Sequence, residues 1–260
     1  MNITRRTFTA AGAALALGLS AGLAMAQPVV MATEASFPPF SKTEADGTYS
    51  GFEIDLGNEV CKRAGFECTW VKQDFDGAIA ALQAKKFDII FSSMSIKPER
   101  QKVADFSLPY YNVASAVFAK KGAFSAIPAD LEGKKVGVYG GATQDSYART
   151  HFTGVEVRPY KSVDLMSADL VAGRIDAMFV EDLPGQEFLA KPEGQDYERV
   201  GDLFTDPSLG AGAGAMFRKG DPLKAKVDEA LRAIYADGSF EALEAKWFPA
   251  GTSVRADKLW

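Results

Sequence analysis

Short apolar runs alternate with amphipathic segments along most of the chain, and this rhythm predicts a mixed α/β protein. Apolar strands are expected near Val29–Thr33, Asp88–Phe91, Lys135–Tyr139 and Ala177–Val180. Helical periodicity follows in FDGAIAALQAKK, ATQDSYARTHF, SADLVAGR and DPLKAKVDEALRAIYADGSFEALEAKWF. Strands that alternate with helices favour parallel sheets with helices on their faces. Ligands of such sheets bind in the loops at the carboxyl ends of the strands, so these loops are the candidate functional regions.

The N-terminal segment has the layout of an export signal. Arg5 and Arg6 precede an apolar stretch over residues 10–23, and an A-x-A pattern ends at Ala26. We therefore expect residues 1–26 to be a signal peptide that is cleaved after Ala26, which places the mature protein in the periplasm. The paired arginines resemble a twin-arginine signal, and an ordinary secretory signal that carries two arginines is the alternative. The apolar run is short and contains glycines, which disfavours a permanent membrane anchor.

The composition is that of a soluble globular protein, and it excludes several classes of function. Of 260 residues, 47% are hydrophobic and 24% are charged, and the formal net charge is −5. Loss of the signal makes this charge more negative, because two arginines are its only charged residues. An acidic chain without basic runs is a poor candidate for binding nucleic acid, and it suits neutral or cationic small partners better. Since His151 is the only histidine, we expect no metal site and no cofactor.

The two cysteines lie at facing ends of a predicted helix and the strand that follows it. An apolar stripe through Leu56 and Val60 indicates a helix that stops at Gly65, and FECTWV reads as the next strand. Cys61 is then in the last helical turn and Cys68 is on the returning strand. An oxidising compartment favours a disulfide between them, which for so short a loop would contribute roughly 2.5 kcal/mol. Two unpaired core thiols are the alternative.

The loop after the first strand combines an acid with an aromatic side chain. Glu34 is followed by SFPPF, in which two prolines forbid a helix and hold a rigid, extended turn. Phe37 lies at the tip of this turn, where it either offers its face to a ligand or packs in the core. Phe75, which precedes another helix, is the matching aromatic candidate from a second loop.

The stretch FSSMSIKPERQ places hydroxyl groups and one arginine at a boundary between a strand and a helix. Pro98 suits the first turn of the helix, and backbone N–H groups near Ser95 are expected to be free there. Arg100 follows about one turn later. Free N–H groups and a planar guanidinium are the groups that bind a carboxylate. The alternative is a surface salt bridge from Arg100 to Glu99 or Asp105.

Two further strand ends carry polar residues. In KKVGVYGGATQDSYA, two glycines precede Thr143 and Gln144 at a helix start, which suits a small anion, although a simple tight turn is the alternative. The stretch lacks both the P-loop and the dinucleotide-binding fingerprint. Glu181 and Asp182 follow an apolar strand, where they are either solvated or paired with a cation in a cleft. These loops together offer groups that bind a carboxylate, aromatic faces and acids that bind a cation. A site with these groups suits a zwitterionic ligand.

From Val29 to Phe248 the chain resembles the extracytoplasmic amino-acid-binding proteins of ABC importers, in the lysine/arginine/ornithine- and histidine-binding group. The matching stretches are ATEASFPPF, GFEIDLGNEVCKRAGFECTWV, FDGAIAALQAKKFDIIFSSMSIKPERQKVADFSLPYY, LEGKKVGVYGGATQDSYA, AGRIDA and YADGSFEALEAKWF. The resemblance implies the type II two-lobe periplasmic-binding-protein fold, in which each lobe is a mainly parallel sheet flanked by helices and two crossover strands form the hinge. Residues 27–116 and 212–260 would form the first lobe, and residues 117–211 the second.

The resemblance also implies a role for each candidate residue. Arg100 would hold the ligand's α-carboxylate, with Ser95 and Thr143 adding backbone donors. Glu34 would face the distal end of a basic side chain, and Glu181 stands where the family usually has the aspartate that binds the ammonium. Other expected ligand-binding residues are Phe37 and Phe75, which would sandwich the side chain, and Ser92, Ser93, Met94, Tyr139, Ala142, Gln144 and Asp182.

Two of these positions depart from the family's pattern. Glu181 is one methylene longer than the usual aspartate, and Asp182 could replace it as the partner of the ammonium. Ala142 stands where relatives often carry serine, so the site lacks one hydroxyl group. Both departures concern the identity of the ligand more than the class of function.

The function that the resemblance implies is that of a periplasmic solute-binding protein, not an enzyme. It would capture a polar or cationic L-amino acid of the arginine/lysine/ornithine/histidine class by lobe closure and deliver it, as a monomer, to an ABC permease in the inner membrane. One alternative is an enzyme like the periplasmic cyclohexadienyl dehydratases, because a carboxyl such as Glu181 in a closed cleft could act as a general acid. The other alternative is the ligand-sensing domain of a larger receptor.

Overall fold

The computed structural model describes residues 28–256, so the predicted signal peptide lies outside the described residues. The strands of this part of the chain are β1 (Val29–Thr33), β2 (Ser36–Phe37), β3 (Ser41–Thr43), β4 (Tyr49–Ser50), β5 (Cys68–Lys72), β6 (Ile89–Ile90), β7 (Asp105–Phe106), β8 (Ser115–Lys120), β9 (Lys135–Tyr139), β10 (Glu156–Tyr160), β11 (Ala177–Glu181), β12 (Tyr197–Phe204) and β13 (Met216–Phe217). Its α-helices are α1 (Phe52–Ala64), α2 (Ala78–Gln83), α3 (Pro98–Gln101), α4 (Thr143–His151), α5 (Val163–Val171), α6 (Asp182–Ala190), α7 (Leu223–Ala236) and α8 (Ser239–Trp247).

The first of two five-stranded sheets has the order β5-β1-β6-β13-β7. Strand β1 pairs in parallel with β5 and β6, whereas β13 returns from late in the chain and pairs antiparallel with β6 and β7. Helices α1, α7 and α8 pack against one another beside this sheet. A small antiparallel sheet, β2-β3-β4, follows β1 and holds the turn that the prolines were predicted to stiffen.

The second five-stranded sheet has the order β10-β9-β11-β8-β12. Strands β9, β10 and β11 are parallel, and β8 and β12 join them as antiparallel neighbours. The chain passes from the first sheet to the second between β7 and β8, and it returns between β12 and β13. The predicted α/β class with two mainly parallel, helix-flanked sheets is therefore confirmed. We call the half that carries each sheet the first or the second lobe, and the residue boundaries assigned from sequence stay a prediction.

Local sequence signals correspond closely to the observed elements. The predicted strands over Val29–Thr33 and Lys135–Tyr139 coincide with β1 and β9. Helix α1 ends where Gly65 adopts a left-handed backbone with φ of 71°, and the Gly65 N–H donates to the last carbonyl groups. The predicted disulfide between Cys61 and Cys68 is present and joins the end of α1 to the start of β5. Within residues 28–256, no helix has both the length and the apolar character needed to span a bilayer.

Candidate ligand-binding cleft

A cleft lies between the lobes where the loops after β1, β6, β9 and β11 converge, as expected for parallel sheets. It is lined by Glu34, Phe37, Phe75, Ser93, Ser95, Tyr139, Ala142, Gln144, Val180 and Glu181. A neighbouring cavity lies on the crossover side and shares Ser95, Gln144 and Glu181 with the cleft. Thr143 also lines this second cavity. The structure thus brings together predicted residues from both lobes.

Arg100 lies at the rim of the cleft and is bonded to carbonyl groups of both lobes. Its Nη1 donates to the Ser95 carbonyl at 2.9 Å, and its Nη2 donates to the Gly141 carbonyl at 3.0 Å. The Phe75 ring lies 5.7 Å from the guanidinium carbon. Burial lowers the pKa of Arg100 to about 10, because the cation loses hydration. Of the two acids considered as surface partners, Asp105 pairs with Lys219 instead, and Glu99 acts on Arg100 only through its charge, which raises the pKa of Arg100.

Three aromatic rings form one wall of the cleft. Tyr139 of the second lobe lies edge-on to Phe37 at 5.7 Å and to Phe75 at 5.8 Å between ring centroids. Phe37 is buried and stacks on Phe40, as the core interpretation predicts, and it also lines the cleft, while its contact with a ligand stays a prediction. Edge-to-face contacts of this kind stabilise closely packed aromatic groups.

Glu34 is buried beside this wall and forms no ion pair with any cation of residues 28–256. Its carboxyl oxygen Oε2 has no hydrogen-bond partner among the described residues, and only 3% of the side chain surface is exposed. Burial raises the pKa of Glu34 to about 8, and the hydroxyl of Tyr139 acts in the opposite direction with a smaller effect. The backbone behind it is anchored, because the Glu34 N–H donates to the Ser92 hydroxyl at 3.0 Å. An unpartnered carboxyl oxygen in a cleft is suited to a cationic ligand group.

Glu181 occupies the opposite side of the cleft, at the end of β11. The Tyr111 hydroxyl donates to its Oε2 at 3.3 Å, and the side chain is 9% exposed. Burial raises the pKa of Glu181 to about 8, and the nearby charges of Glu53 and Glu34 raise it further. The two acids at the ends of the cleft therefore share one feature, which is burial without an ion pair to a cation among the residues that the structure describes.

Sequence analysis missed Glu53, the third buried acid of this region. The Glu53 carboxylate accepts hydrogen bonds from the Ser93 N–H at 2.6 Å, the Ser93 hydroxyl at 3.0 Å and the Tyr110 hydroxyl at 2.5 Å. It thereby holds Ser93, whose left-handed backbone with φ of 49° forms part of the cleft wall. Burial raises the pKa of Glu53 to about 7. A signal existed, because Glu53 falls on the apolar stripe of α1 with Leu56 and Val60.

Four residues expected in the site do not line either cavity. Arg100 lies against the Phe75 ring and lines a neighbouring, more exposed pocket with Gly141 and Ala142. Ser92 lies behind Glu34 and accepts its N–H. Met94 is fully buried in an apolar cluster with Ala32 and Leu82, because its side chain points into the first lobe's core. Asp182 begins α6 and faces away from Glu181, where it pairs with Arg199 at 3.3 Å.

The lobes contact each other around the cleft, so this structure is a closed form. Besides the bond between Arg100 and Gly141, the hydroxyls of Ser36 and Tyr139 lie 3.2 Å apart. At the exposed rim, Lys161 pairs with Asp74 at 3.5 Å. No group of three or more His, Cys, Asp and Glu side chains in the described part of the chain could hold a metal ion. The chemistry available is thus that of charge-paired recognition between two lobes.

Comparison with known proteins relates this geometry to a family. Residues 29–250 match the bacterial extracellular solute-binding proteins, family 3. The chain is 42% identical over 228 residues to the L-arginine-binding protein of Pseudomonas aeruginosa, with 85% of this chain and 88% of the relative covered. It is 40% identical over 248 residues to the lysine/arginine/ornithine-binding periplasmic protein of Escherichia coli, with 90% and 95% covered.

The fold of a solved structure supports the same family relationship. The structure of a Salmonella typhimurium periplasmic binding protein with high arginine specificity superposes with a TM-score of 0.81 and 32% identity, and the match covers 86% of this chain and all of that chain. The fold is therefore the two-lobe, type II periplasmic-binding-protein fold that the sequence predicts. On these matches, the chain belongs to the bacterial extracellular solute-binding proteins of family 3.

Proposed function

We propose that this protein is exported to the periplasm, captures an L-amino acid with a cationic side chain and delivers it to an ABC permease of the inner membrane. The observation that carries the proposal is the charge pattern of the closed cleft. In the described part of the chain, Arg100 has no carboxylate partner, and the buried acids Glu34 and Glu181 form no ion pair with a cation. A basic amino acid supplies the one anion and two cations that these three side chains need.

The orientation of the ligand follows from the positions of these groups. The α-carboxylate lies near Arg100, where the free N–H groups at the start of α4 add partial positive charge. The α-ammonium lies at Glu181, and the side chain extends past Phe37 and Phe75 to Glu34. The relatives support this class of ligand, since their names specify arginine or lysine, arginine and ornithine.

Lobe closure is the mechanism by which the ligand is retained. Glu34 and Arg100 belong to the first lobe, whereas Thr143 and Glu181 belong to the second. A ligand that contacts both lobes binds the closed form more tightly than the open form, and this difference shifts the population towards closure. The closed monomer would then dock on the permease. The same proposal includes cleavage of the signal peptide after Ala26 and lobe boundaries at residues 116 and 211.

Calorimetric titration tests the proposal on mature protein that has been unfolded and refolded to remove carried-over ligand. The panel contains the common amino acids, ornithine and citrulline. We expect tight binding of arginine, lysine or ornithine and weaker binding of acidic and apolar amino acids. Absence of binding across the panel would contradict the proposal and would favour the dehydratase alternative, which turnover of arogenate then tests directly.

A further inference from the structure

The Glu34 carboxyl is enclosed by groups that provide little compensation for a negative charge. Its Oε2 has no partner among the described residues, and the Phe37 and Phe75 rings line the same cleft. The charged and titratable groups that act on it come from several elements and are mostly acidic or neutral: Tyr139 of β9, Glu53 of α1, Asp74 after β5, Glu181 of β11, and Lys72 of β5 as the one cation among them.

The side chain of the ligand therefore decides which form of Glu34 is stable in a closed complex. A cationic side chain next to Oε2 supplies the missing partner, so the carboxylate remains ionised. A neutral side chain of the same length would leave a buried, unpaired charge, which is strongly unfavourable, so the carboxyl keeps its proton. A protonated carboxyl also gains a donor, which can bond to the carbonyl oxygen of a neutral amide or urea group.

We infer that Glu34 makes the selectivity of the cleft depend on pH, because it is ionised in complexes with cationic side chains and protonated in complexes with neutral ones. This inference rests on the proposed function and specifies which property of the ligand is recognised. The protein would discriminate weakly between the two kinds of side chain in an acidic periplasm and strongly in a neutral one.

The direction of the effect follows from the protons bound in each complex. The complex with a neutral ligand holds one proton more than the complex with a cationic ligand, as long as the pH is below the pKa of Glu34 in the uncompensated site, about 8. The ratio of the two dissociation constants then rises by up to tenfold for each pH unit and levels off near pH 8. Glu181 and Glu53 experience the same α-ammonium in both complexes, so their direct response to the ligand cancels in the ratio, and their coupling to Glu34 acts through the charge of Glu34 itself.

Arginine and citrulline are the matched pair for this test, because citrulline has the same length and carries a neutral urea group. Calorimetric titration at pH 5.5, 6.5 and 7.5 gives the ratio of the Kd for citrulline to the Kd for arginine. We expect the ratio to increase from 5.5 to 7.5 by a factor approaching one hundred. We also expect arginine binding to release about one proton more than citrulline binding, as measured at one pH in two buffers with different ionisation enthalpies.

Two variants identify the group responsible. In Glu34→Gln we expect a ratio that no longer changes with pH, since the amide does not titrate in this range. In Glu59→Gln, which removes an acid that pairs with Arg63 on α1 outside the cleft, we expect the slope of the wild-type protein. Far-UV circular dichroism and thermal unfolding show whether each variant is folded. If Glu34→Gln does not fold, the difference in proton exchange between arginine and citrulline binding to the wild-type protein still tests the inference.

The possible failures are distinguishable. If neither arginine nor citrulline binds at any pH, the proposed function is wrong. If both ligands bind with a ratio that stays constant over the pH range, the proposed function stands and the inference about Glu34 is overturned. A slope that persists in Glu34→Gln would also overturn it, because another group would then carry the proton.

Discussion

The guanidinium of Arg100 joins the two lobes, because its Nη2 donates to the carbonyl oxygen of Gly141 at 3.0 Å across the cleft. Its Nη1 donates to the Ser95 carbonyl of its own lobe, so these bonds are made to carbonyl groups and not to a carboxylate. Burial lowers its pKa to about 10, and the charge of Glu99 offsets this effect only in part. The α-carboxylate of a ligand would supply this compensation at the point where the lobes meet.

Replacing Arg100 by alanine is expected to abolish measurable binding of every α-amino acid. Two charge-assisted hydrogen bonds contribute roughly 3–6 kcal/mol together, so the Kd should rise by at least about a hundredfold. Calorimetric titration with arginine and with glutamine measures this change. Lys97→Ala is the matched control, because Lys97 is a nearby rim cation that makes only a 3.4 Å contact with Ser146. Unchanged affinity in Arg100→Ala would refute the carboxylate assignment.

Replacing Glu181 by glutamine is expected to weaken arginine and citrulline by similar factors, on the order of a hundredfold, because both ligands lose the partner of the α-ammonium. Titration of the variant with both ligands checks this equality. Asp182→Asn serves as the control, since Asp182 pairs with Arg199 outside the cleft, and we expect it to bind both ligands normally. If Asp182→Asn were the more damaging change, the ammonium site would have to be reassigned to Asp182.

Glu53 is expected to make the ligand-free protein less stable as the pH rises. The folded state keeps the Glu53 proton up to a pKa of about 7, whereas the ordinary value is 4.5, so unfolding releases a proton between these values. The free energy of unfolding should therefore fall by about 2 kcal/mol between pH 5 and pH 7.5 through this group alone. Urea unfolding of wild-type protein and Glu53→Gln at both pH values measures the difference.

A control on the same helix separates this effect from general changes in α1. Glu59 pairs with Arg63, which lowers the pKa of Glu59, so Glu59→Gln should retain the wild-type dependence on pH above 5. If the free energy of unfolding of Glu53→Gln fell with pH as steeply as that of the wild-type protein, Glu53 would have to be ionised throughout the range from pH 5 to pH 7.5.

The disulfide is expected to stabilise the protein without taking part in binding. Cys61 and Cys68 are seven residues apart, and the loop-closure entropy of so short a loop corresponds to about 2.5 kcal/mol. Urea unfolding of the double variant Cys61→Ser, Cys68→Ser should show a loss of this size, while the Kd for arginine at 25 °C stays unchanged. A large loss of affinity would show that the bridge also holds the cleft in shape.

Much of the first half of the chain could be predicted from local signals. The 3.6-residue stripe through Leu56 and Val60 and the stop at Gly65 defined α1, and the disulfide followed from its position beside β5. The loops at strand ends also identified Glu34, Arg100 and Glu181 as candidates. These signals sufficed because helix periodicity, capping and strand ends depend on residues that are close in sequence.

The tertiary structure alone decided which of these side chains face the cleft. Glu181 and Asp182 are adjacent in sequence, yet the change from β11 to α6 directs one into the cleft and the other to Arg199. Glu53 reaches Ser93 across 40 residues of sequence, and this bond exists only because α1 packs beside the end of β6. Side-chain direction and charge compensation depend on such distant partners, so the sequence identified the candidate acids and arginine, and the packing of the two lobes assigned their partners.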